Sequence, residues 1–289
     1  MNLKTIKKFL KATLRDAQYN WNHLAHQHDD IKEVKFSELR KYCHMLDKAL
    51  NNPEFKKGHS KPIIEKAKKY ISELEVFFMS DPAFIWCKKI VERFDAAQVS
   101  GNPELLQKKV VSYTTSQKNA IESFITARVS VRNFMQKKIP LDVIDNIVKI
   151  AVDAPNGCCR QSTRFYIVQD EEKMRMIMPN IAGLTNFTNV ACLACVVAEG
   201  NFYEIIDKNL QYVDASLAAE NFILAASVYG VYGTMCNFFH ASKHDVWNVK
   251  KTLGIKVSEN VVLFIALGYP IAIPEKPQRR KTSNYYKLV

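Results

Sequence analysis

The chain has 289 residues, of which 47% are hydrophobic and 24% charged, and these proportions exclude disordered, collagen-like and disulfide-stabilised classes. Its longest uncharged apolar stretch, residues 261–273, contains Pro270 and is shorter than the roughly 20 residues that span a bilayer, so no stable membrane insertion is expected. The net charge of +12 favours an anionic partner: nucleic acid, a membrane surface or a phosphorylated cofactor.

The N-terminal residues predict a cytoplasmic protein. Charged residues interrupt every apolar pair in MNLKTIKKFLKATLRDA, so the continuous apolar segment of a secretory signal is missing. Seven cysteines at irregular spacing are more typical of reduced thiols than of a disulfide framework.

Residues 1–119 are predicted to form an all-α N-terminal extension. Residues 1–120 hold only two glycines and carry 22 basic against 14 acidic residues, a net charge of +8. Apolar residues recur at helical spacing from Leu3 to Ala17 and from Ile63 to Phe77. Three turn sequences, at 51–53, 80–82 and 100–103, each pair a capping or turn residue with a proline that is predicted to start a helix.

Residues 120–289 are predicted to form a second domain in which helices and strands alternate. A helix follows Pro140, and buried strands are predicted at 165–168, 190–198 and 261–267. A further helix, residues 214–229, is apolar on nearly every side and ends at Gly230. Such a helix is central either to a domain or to a dimer.

Two arginines in the sequence RVSVR are a candidate anion site. Arg128, Ser130 and Arg132 project to one side if the segment is extended, and the two arginines still share a face if it is helical. Two guanidinium groups and a hydroxyl match the oxygens of a phosphate, while the intervening valines can be buried. On the pentapeptide alone, a solvated basic stripe remains an alternative.

Two further segments are candidates of the same kind. The turn-rich sequence APNGCCRQSTRF, residues 154–165, leads from a helix into a strand, where binding loops are often built, although a simple connection explains it as well. The basic residues Arg279, Arg280 and Lys281 follow the last predicted strand and, taken alone, are a charge cluster in a tail.

No metal site and no nucleotide-binding loop are predicted. Cys192 and Cys195 form a C-x-x-C, but residues an odd number apart in a strand lie on opposite faces, so buried apolar cysteine is the favoured interpretation. Neither the P-loop pattern nor G-x-G-x-x-G occurs. Few aromatic residues lie among the N-terminal lysines, so nucleic acid is not an expected partner.

The order of these segments resembles that of the FMN-dependent nitroreductase family. RVSVRNF at 128–134 is similar to the family's R-R-S-V-R-x-F, and the loop at 154–163 is similar to its A-P-S-x-x-N-x-Q-P-W. GVYGTMCN at 230–237 and Gly268-Tyr269-Pro270 follow in the family's order. HMLDKAL at 44–50 resembles a motif of extended bacterial members but indicates no role.

The resemblance implies an α+β nitroreductase-like fold: a mixed central sheet flanked by helices, with two subunits interlocked as a homodimer that binds FMN at its interface. It further implies that the flavin carries the chemistry, with no catalytic side chain required. The cofactor-binding residues that it implies fall into four groups: residues that hold the phosphate and ribityl chain, a loop that borders the ring, a segment that approaches the ring from the other subunit's side, and a late arginine. In that order they are Arg128, Val129, Ser130 and Arg132; Pro155, Asn156, Arg160 and Gln161; Cys236 and Asn237; Arg279 or Arg280.

The function implied is NAD(P)H-dependent oxidoreduction by ping-pong hydride transfer through flavin N5, with a small electron-poor acceptor such as a nitroaromatic or quinone. Asn156, Cys159 and Ser162 stand where the family has Ser, Asn and Pro, so the substrate preference of relatives does not transfer. The alternative is a non-catalytic protein of the same fold whose basic helical extension docks to a membrane surface or protein complex. Lysines 4, 7, 8 and 11 lie beside the apolar stripe of that extension, although a stripe of this kind more often packs on its own domain.

Overall fold

The computed structural model describes residues 3–26, 29–104, 110–184, 187 and 189–289, without the side chains of residues 4, 8, 11, 15 and 22. The helices are α1 (Leu3–His26), α2 (Ile31–Leu50), α3 (Lys61–Phe78), α4 (Pro82–Ser100), α5 (Thr115–Ala127), α6 (Leu141–Ala151), α7 (Glu171–Ile177), α8 (Leu210–Val228) and α9 (Lys243–Leu253). The strands are β1 (Thr163–Val168), β2 (Cys192–Glu199), β3 (Tyr232–Asn237) and β4 (Glu259–Gly268). No helix among these described residues is long and apolar enough to cross a membrane.

Helices α2, α3 and α4 pack together around a core of their own. Leu39, Leu46, Leu74, Phe84 and Phe94 are buried in it, at positions that recur on one face of each helix. Of the predicted turns, 51–53 and 80–82 lie between these helices and 100–103 follows α4. Pro82 begins α4 as predicted, whereas α3 begins at Lys61 and not at Pro53. The Asp81 carboxylate caps α4 by accepting from the backbone N–H of Ala83 at 2.7 Å. The helical character expected of the N-terminal region is therefore present in the described residues.

The second half of helix α1 contacts the C-terminal part of the chain. The Tyr19 hydroxyl accepts a hydrogen bond from Gln211 Nε2 at 2.8 Å. In the first half, Leu3 and Leu14 are each 69% exposed, so the expectation that this stripe packs on its own domain is not met at these positions. The side chains of Lys4, Lys8 and Lys11 lie outside the described residues.

The four strands form one sheet in the order β1-β2-β4-β3, with every neighbouring pair antiparallel. The expected mixed sheet is therefore corrected: the described strands form a purely antiparallel sheet. The three predicted strands are present with ends shifted by up to two residues, whereas β3 was not predicted as a strand. Its sequence lacks a β-branched run, and a Cβ at Gly233 would lie 2.5 Å from the Ala266 carbonyl oxygen, so β3 approaches β4 closely there.

The sheet lies between two layers of helices. Helices α6 and α8 cover one face, with Ile147 and Phe222 in the core, and α7 and α9 cover the other, with Met174 and Val249 in the core. Cys192 belongs to the first core and Cys195 to the second, which confirms that the two thiols of the C-x-x-C lie on opposite faces of β2.

Helix α8 is buried against the sheet but retains an exposed apolar stripe. Val213, Leu217 and Val228 are 52%, 41% and 61% exposed, although most of the helix's other apolar residues are buried. Leu217 and Val228 follow Val213 by 4 and 15 residues, close to whole turns, so the three lie along one side of the helix. Helix α8 therefore presents an apolar surface that a second subunit could cover, as expected of a helix central to a dimer.

Candidate functional site

The segment from Arg128 to Arg132 runs beside β3 after helix α5 ends. Val131 donates its backbone N–H to the Gly233 carbonyl at 3.2 Å, and its own carbonyl accepts from Thr234 Oγ1 at 2.6 Å. Val129 and Val131 are buried while Ser130 is half-buried and Arg132 exposed. Burial thus alternates as expected of an extended segment, with the valines inward and the polar side chains toward solvent.

The C-terminal basic segment lies against the same part of the chain. The Ile271 N–H donates to the Asn133 carbonyl at 3.1 Å, and Lys276 Nζ donates to the Thr126 carbonyl at the end of α5. Gly268 permits this approach, because a Cβ there would lie 2.7 Å from the Phe134 ring. The structure therefore brings a basic tail next to Arg128.

The cationic cluster, as we name it, consists of the positively charged residues on these two adjoining segments: Arg128, Arg132, Lys276, Arg279 and Arg280. Arg279 and Arg280 are exposed, and Arg280 Nη2 donates to Asn284 Oδ1 at 3.1 Å. No acidic group pairs with a member of the cluster among the described residues. Such a surface suits a ligand with a doubly charged anionic group.

The end of β3 lies beside the cationic cluster. Cys236 is buried, Asn237 is exposed, and the two face Phe264 and Leu263 of β4. Burial raises the pKa of the Cys236 thiol, and the positive charge of Arg132 acts on it in the opposite direction. The structure therefore brings together Val129, Ser130 and Arg132 with Cys236 and Asn237.

The loop of residues 154–162, hereafter the 154–162 loop, is held by the first turns of α8. The Gly157 N–H donates to both carboxylate oxygens of Asp214, at 3.0 and 2.9 Å. Asp214 also accepts from the Tyr203 hydroxyl at 2.6 Å, and that hydroxyl lies 2.5 Å from Ser162 Oγ. Burial and the Asp214 carboxylate raise the pKa of Tyr203, so its phenol keeps its proton and the network stays intact at neutral pH.

The backbone of the 154–162 loop is strained. Cys158, Cys159 and Gln161 have φ values of 54°, 56° and 53°, in the left-handed region that costs a residue with a Cβ about 1–2 kcal/mol. The Gln161 N–H is satisfied within the loop by Asn156 Oδ1 at 3.0 Å. Strain of this kind persists only where surrounding contacts hold the backbone in place, and it is concentrated at functional sites.

Arg160 differs from the other predicted ring residues. Its side chain is 2% exposed, and Nη2 donates to Asp207 Oδ2 at 3.1 Å beneath the Tyr203 ring. The guanidinium is thus used to hold the protein together rather than presented to a ligand, and the structure does not support its placement at the edge of a bound ring. Pro155 and Gln161 are exposed and Asn156 is half-buried.

The cationic cluster and the 154–162 loop lie at opposite edges of the sheet within one protomer. The loop leads into β1 and the cluster adjoins β3, three strand spacings away in the order β1-β2-β4-β3, or about 14 Å. A single chain therefore does not bring the two halves of the predicted site together.

Some residues that build the site were not identified from the sequence. Lys276 lies just outside the predicted basic run, and only the pairing of the tail with residues 126–135 reveals its position. Asp214 could have been identified from the sequence, because it is an acidic residue in an apolar helix, and a buried carboxylate requires partners. Among the described residues, no group of His, Cys, Asp or Glu is placed to hold a metal ion.

Comparison with known proteins identifies the family to which this chain belongs. The family model described as "Nitroreductase family" matches residues 125–190 and 182–269, which together span half of the chain. A protein of Archaeoglobus fulgidus, named as a candidate NADH dehydrogenase/NAD(P)H nitroreductase, is 27% identical over 148 residues, or 50% of this chain and 83% of the relative.

Solved structures show the same fold. A nitroreductase-like protein from Streptococcus mutans has a TM-score of 0.54 at 18% identity, covering 60% of this chain and 99% of its own. A candidate NAD(P)H:FMN oxidoreductase from Staphylococcus epidermidis has a TM-score of 0.53 at 16% identity, covering 64% of this chain and 100% of its own. The matched residues and the shared fold establish that this chain belongs to the nitroreductase family of flavin-dependent oxidoreductases.

Proposed function

We propose that the protein is an FMN-dependent oxidoreductase that uses NADH or NADPH to reduce a small electron-poor acceptor such as a nitroaromatic or a quinone. The observation that carries the proposal is the cationic cluster beside β3, where Arg128 is half-buried, Arg132 is exposed, and neither has an acidic partner among the described residues. The names of the Archaeoglobus and Staphylococcus relatives, which refer to NAD(P)H and FMN, are consistent with it.

The residues of the cluster fit the phosphate of FMN. A dianionic phosphate requires several fixed donors, and paired guanidinium groups supply them in a planar arrangement that matches its oxygens. Arg128, Ser130 and Arg132 would hold the phosphate and ribityl chain, with Val129 packing beneath them. Arg279 or Arg280 would complete the clamp, and Lys276, bonded to the Thr126 carbonyl, places the tail within reach.

The flat ring would lie between two protomers. Cys236 and Asn237 would border it from the protomer that holds the phosphate, and Pro155, Asn156 and Gln161 would border it from the partner. Two observations support a homodimer: the two halves of the site are at opposite edges of one sheet, and α8 exposes an apolar stripe. Helix α5 likewise contains no buried residue, although it carries Ile121, Phe124 and Ile125.

The chemistry supplied by bound FMN would be acceptance of a hydride at N5 and its transfer to the acceptor. The chain's own contribution would be to orient the ring, to stack the nicotinamide and the acceptor in turn, and to stabilise negative charge with the cationic cluster. No side chain near Cys236 or Asn237 is required to act as an acid or base in this scheme.

The visible absorbance of the purified protein tests the proposal directly. We expect it to be yellow or to become so on addition of FMN, and to bleach under anaerobic conditions when NADH or NADPH is added; menadione or a nitroaromatic should then restore the colour. Protein that binds no FMN and oxidises neither nicotinamide would contradict the proposal.

The exposed half of α1 favours a second, compatible function: docking to an anionic membrane surface. Leu3, Leu10 and Leu14 lie on one exposed side of a helix whose sequence carries five basic residues and one acidic residue. We expect the protein to float with vesicles containing anionic lipid and to stay behind with neutral ones. A Leu10→Glu, Leu14→Glu variant should lose flotation, and unchanged flotation would exclude this surface.

A further inference from the structure

Helix α2 holds the 154–162 loop through one buried cation. Arg40 Nη2 donates to the Arg160 carbonyl oxygen at 2.7 Å, and Arg40 Nε donates to the Cys159 carbonyl oxygen at 3.2 Å. Ser37 Oγ donates to the same Arg160 carbonyl at 3.4 Å. These contacts come from outside residues 125–269, the part of the chain that the family model matches.

The environment of Arg40 shows that its guanidinium serves the loop backbone. The residue is 4% exposed, and no carboxylate lies within ion-pair distance of it in the part of the chain that the structure describes. The guanidinium instead lies 4.3 Å from the Phe36 ring and 5.8 Å from the Phe202 ring. A buried charge is costly unless it is satisfied, so the two carbonyls and the ring faces are what compensate it.

The loop needs such support because of its backbone conformation. Cys158, Cys159 and Gln161 are left-handed, and the carbonyls that Arg40 holds belong to Cys159 and to Arg160 between the strained positions. Asp214 of α8 holds the loop at Gly157 from the other side. Loss of the Arg40 contacts would leave the strained half of the loop without this charged support.

The same face of α2 carries the beginning of the HMLDKAL segment. His44 is one turn beyond Arg40, and its Nδ1 lies 3.6 Å from Cys159 Sγ. Leu46 and Leu50 of the segment are buried in the core of α2, α3 and α4. The segment thus joins the N-terminal helical core to the 154–162 loop.

We propose that Arg40 is a positioning residue for the flavin: it fixes the backbone of the loop that borders the ring, so the N-terminal helices form part of the cofactor site. This inference rests on the proposed function, since it concerns the same FMN. Arg40 itself touches neither the cofactor nor the substrate; it acts through the carbonyls of Cys159 and Arg160.

The test compares FMN binding by full-length wild-type protein with that of Arg40→Met and Arg40→Lys. Arg93→Met is the matched control, because Arg93 also donates to a backbone carbonyl, that of Glu104, but does not contact the loop. We expect Arg40→Met to raise the Kd for FMN about tenfold and to shift the visible circular dichroism of the bound flavin, with Arg40→Lys intermediate. Arg93→Met should leave both unchanged.

The outcomes separate this inference from the proposed function. If Arg40 only stabilised the fold, its variants would have a lower unfolding temperature as apoproteins. Flavin bound to the folded variants would then have the same spectrum as in wild type. If wild type and both Arg40 variants bind FMN with the same Kd and spectrum, the inference is wrong while the proposed function stands. If Arg40→Met does not fold, Arg40→Lys decides by the same criteria. Wild-type protein that binds no FMN would overturn the proposed function and this inference together.

Discussion

Arg128 and Arg132 are the residues on which the proposed cofactor site depends most. We expect both to be removable with little effect on the fold, because Arg132 is exposed, Arg128 is only half-buried, and neither belongs to a buried network in the described residues. We expect Arg128→Ala with Arg132→Ala to weaken FMN binding about hundredfold or more, since hydrogen bonds from charged groups contribute about 1.5–3 kcal/mol each. Fluorescence titration with FMN measures this loss.

A charge-matched control distinguishes the phosphate contact from a general loss of positive charge. Lys137→Ala with Lys138→Ala removes two exposed cations a few residues beyond the cluster and should leave FMN affinity nearly unchanged. Retention of tightly bound flavin by the double arginine variant, with an unaltered far-ultraviolet circular dichroism spectrum, would show that the phosphate lies elsewhere.

Glu199 gives the fold a pH dependence. It is buried opposite Glu259 in the β2–β4 register; Ser258 Oγ donates a hydrogen bond to it at 3.0 Å, and Arg164 Nη1 lies at ion-pair distance, 4.0 Å away. Burial, the largest cause, raises the pKa of Glu199 above its ordinary value of 4.5. A raised pKa in the folded state means that this residue stabilises the fold most below pH 4.5 and that the contribution is lost as pH rises through the folded-state pKa.

Glu199→Gln, which does not titrate, should therefore gain free energy of unfolding relative to wild type as pH rises from about 4 to about 8. Urea unfolding at several pH values measures the difference, and Glu65→Gln, which removes an exposed carboxylate from α3, is the charge-matched control. A constant difference across this range would show that Glu199 is not protonated preferentially in the folded protein.

At the scale of elements, α8 links the core to the expected subunit interface. Its Ala-rich and aromatic face is buried against the sheet, and the stripe of Val213, Leu217 and Val228 remains exposed in one protomer. We expect Leu217→Glu to shift the protein toward monomer, because a carboxylate would have to be desolvated in the interface. Sedimentation velocity at micromolar concentration measures the shift.

Val76→Glu on α3 is the matched control for that variant. Val76 is also exposed, but it lies on the N-terminal helices and not on α8 or α5, so the variant should remain dimeric. A wild-type protein that sediments as a monomer would contradict the assignment of the α8 stripe to a subunit interface.

At the scale of the whole molecule, flavin binding and dimerisation should be linked. The cationic cluster and the 154–162 loop are about 14 Å apart across one sheet, so a complete site would require both protomers. We expect one FMN per chain in the dimer, and Leu217→Glu should weaken FMN binding at least about tenfold at concentrations where it is monomeric. Equal affinity for FMN in a Leu217→Glu monomer would show that one chain forms the site alone.

Much of the architecture could be predicted because it depends on local patterns. Helical periodicity predicted helices in the N-terminal region, and β-branched runs predicted β1, β2 and β4. The sequence does not predict strand β3, because Gly233 and Asn237 have low strand propensity and pairing with β4 is what holds them extended. The burial of Arg160 could not be predicted for a similar reason: its partner Asp207 is 47 residues away and becomes a neighbour only on folding.

The sequence by itself determined the family, the helical character of the first hundred residues and the paired arginines, since each depends on residue type and spacing along the chain. Tertiary structure alone decided which distant segments meet: the basic tail at the end of α5, Asp214 and Arg40 on the 154–162 loop, and the separation of the two halves of the site. The physical reason is that a buried polar group or charge must find a partner wherever the folded chain provides one, and sequence distance does not constrain that choice.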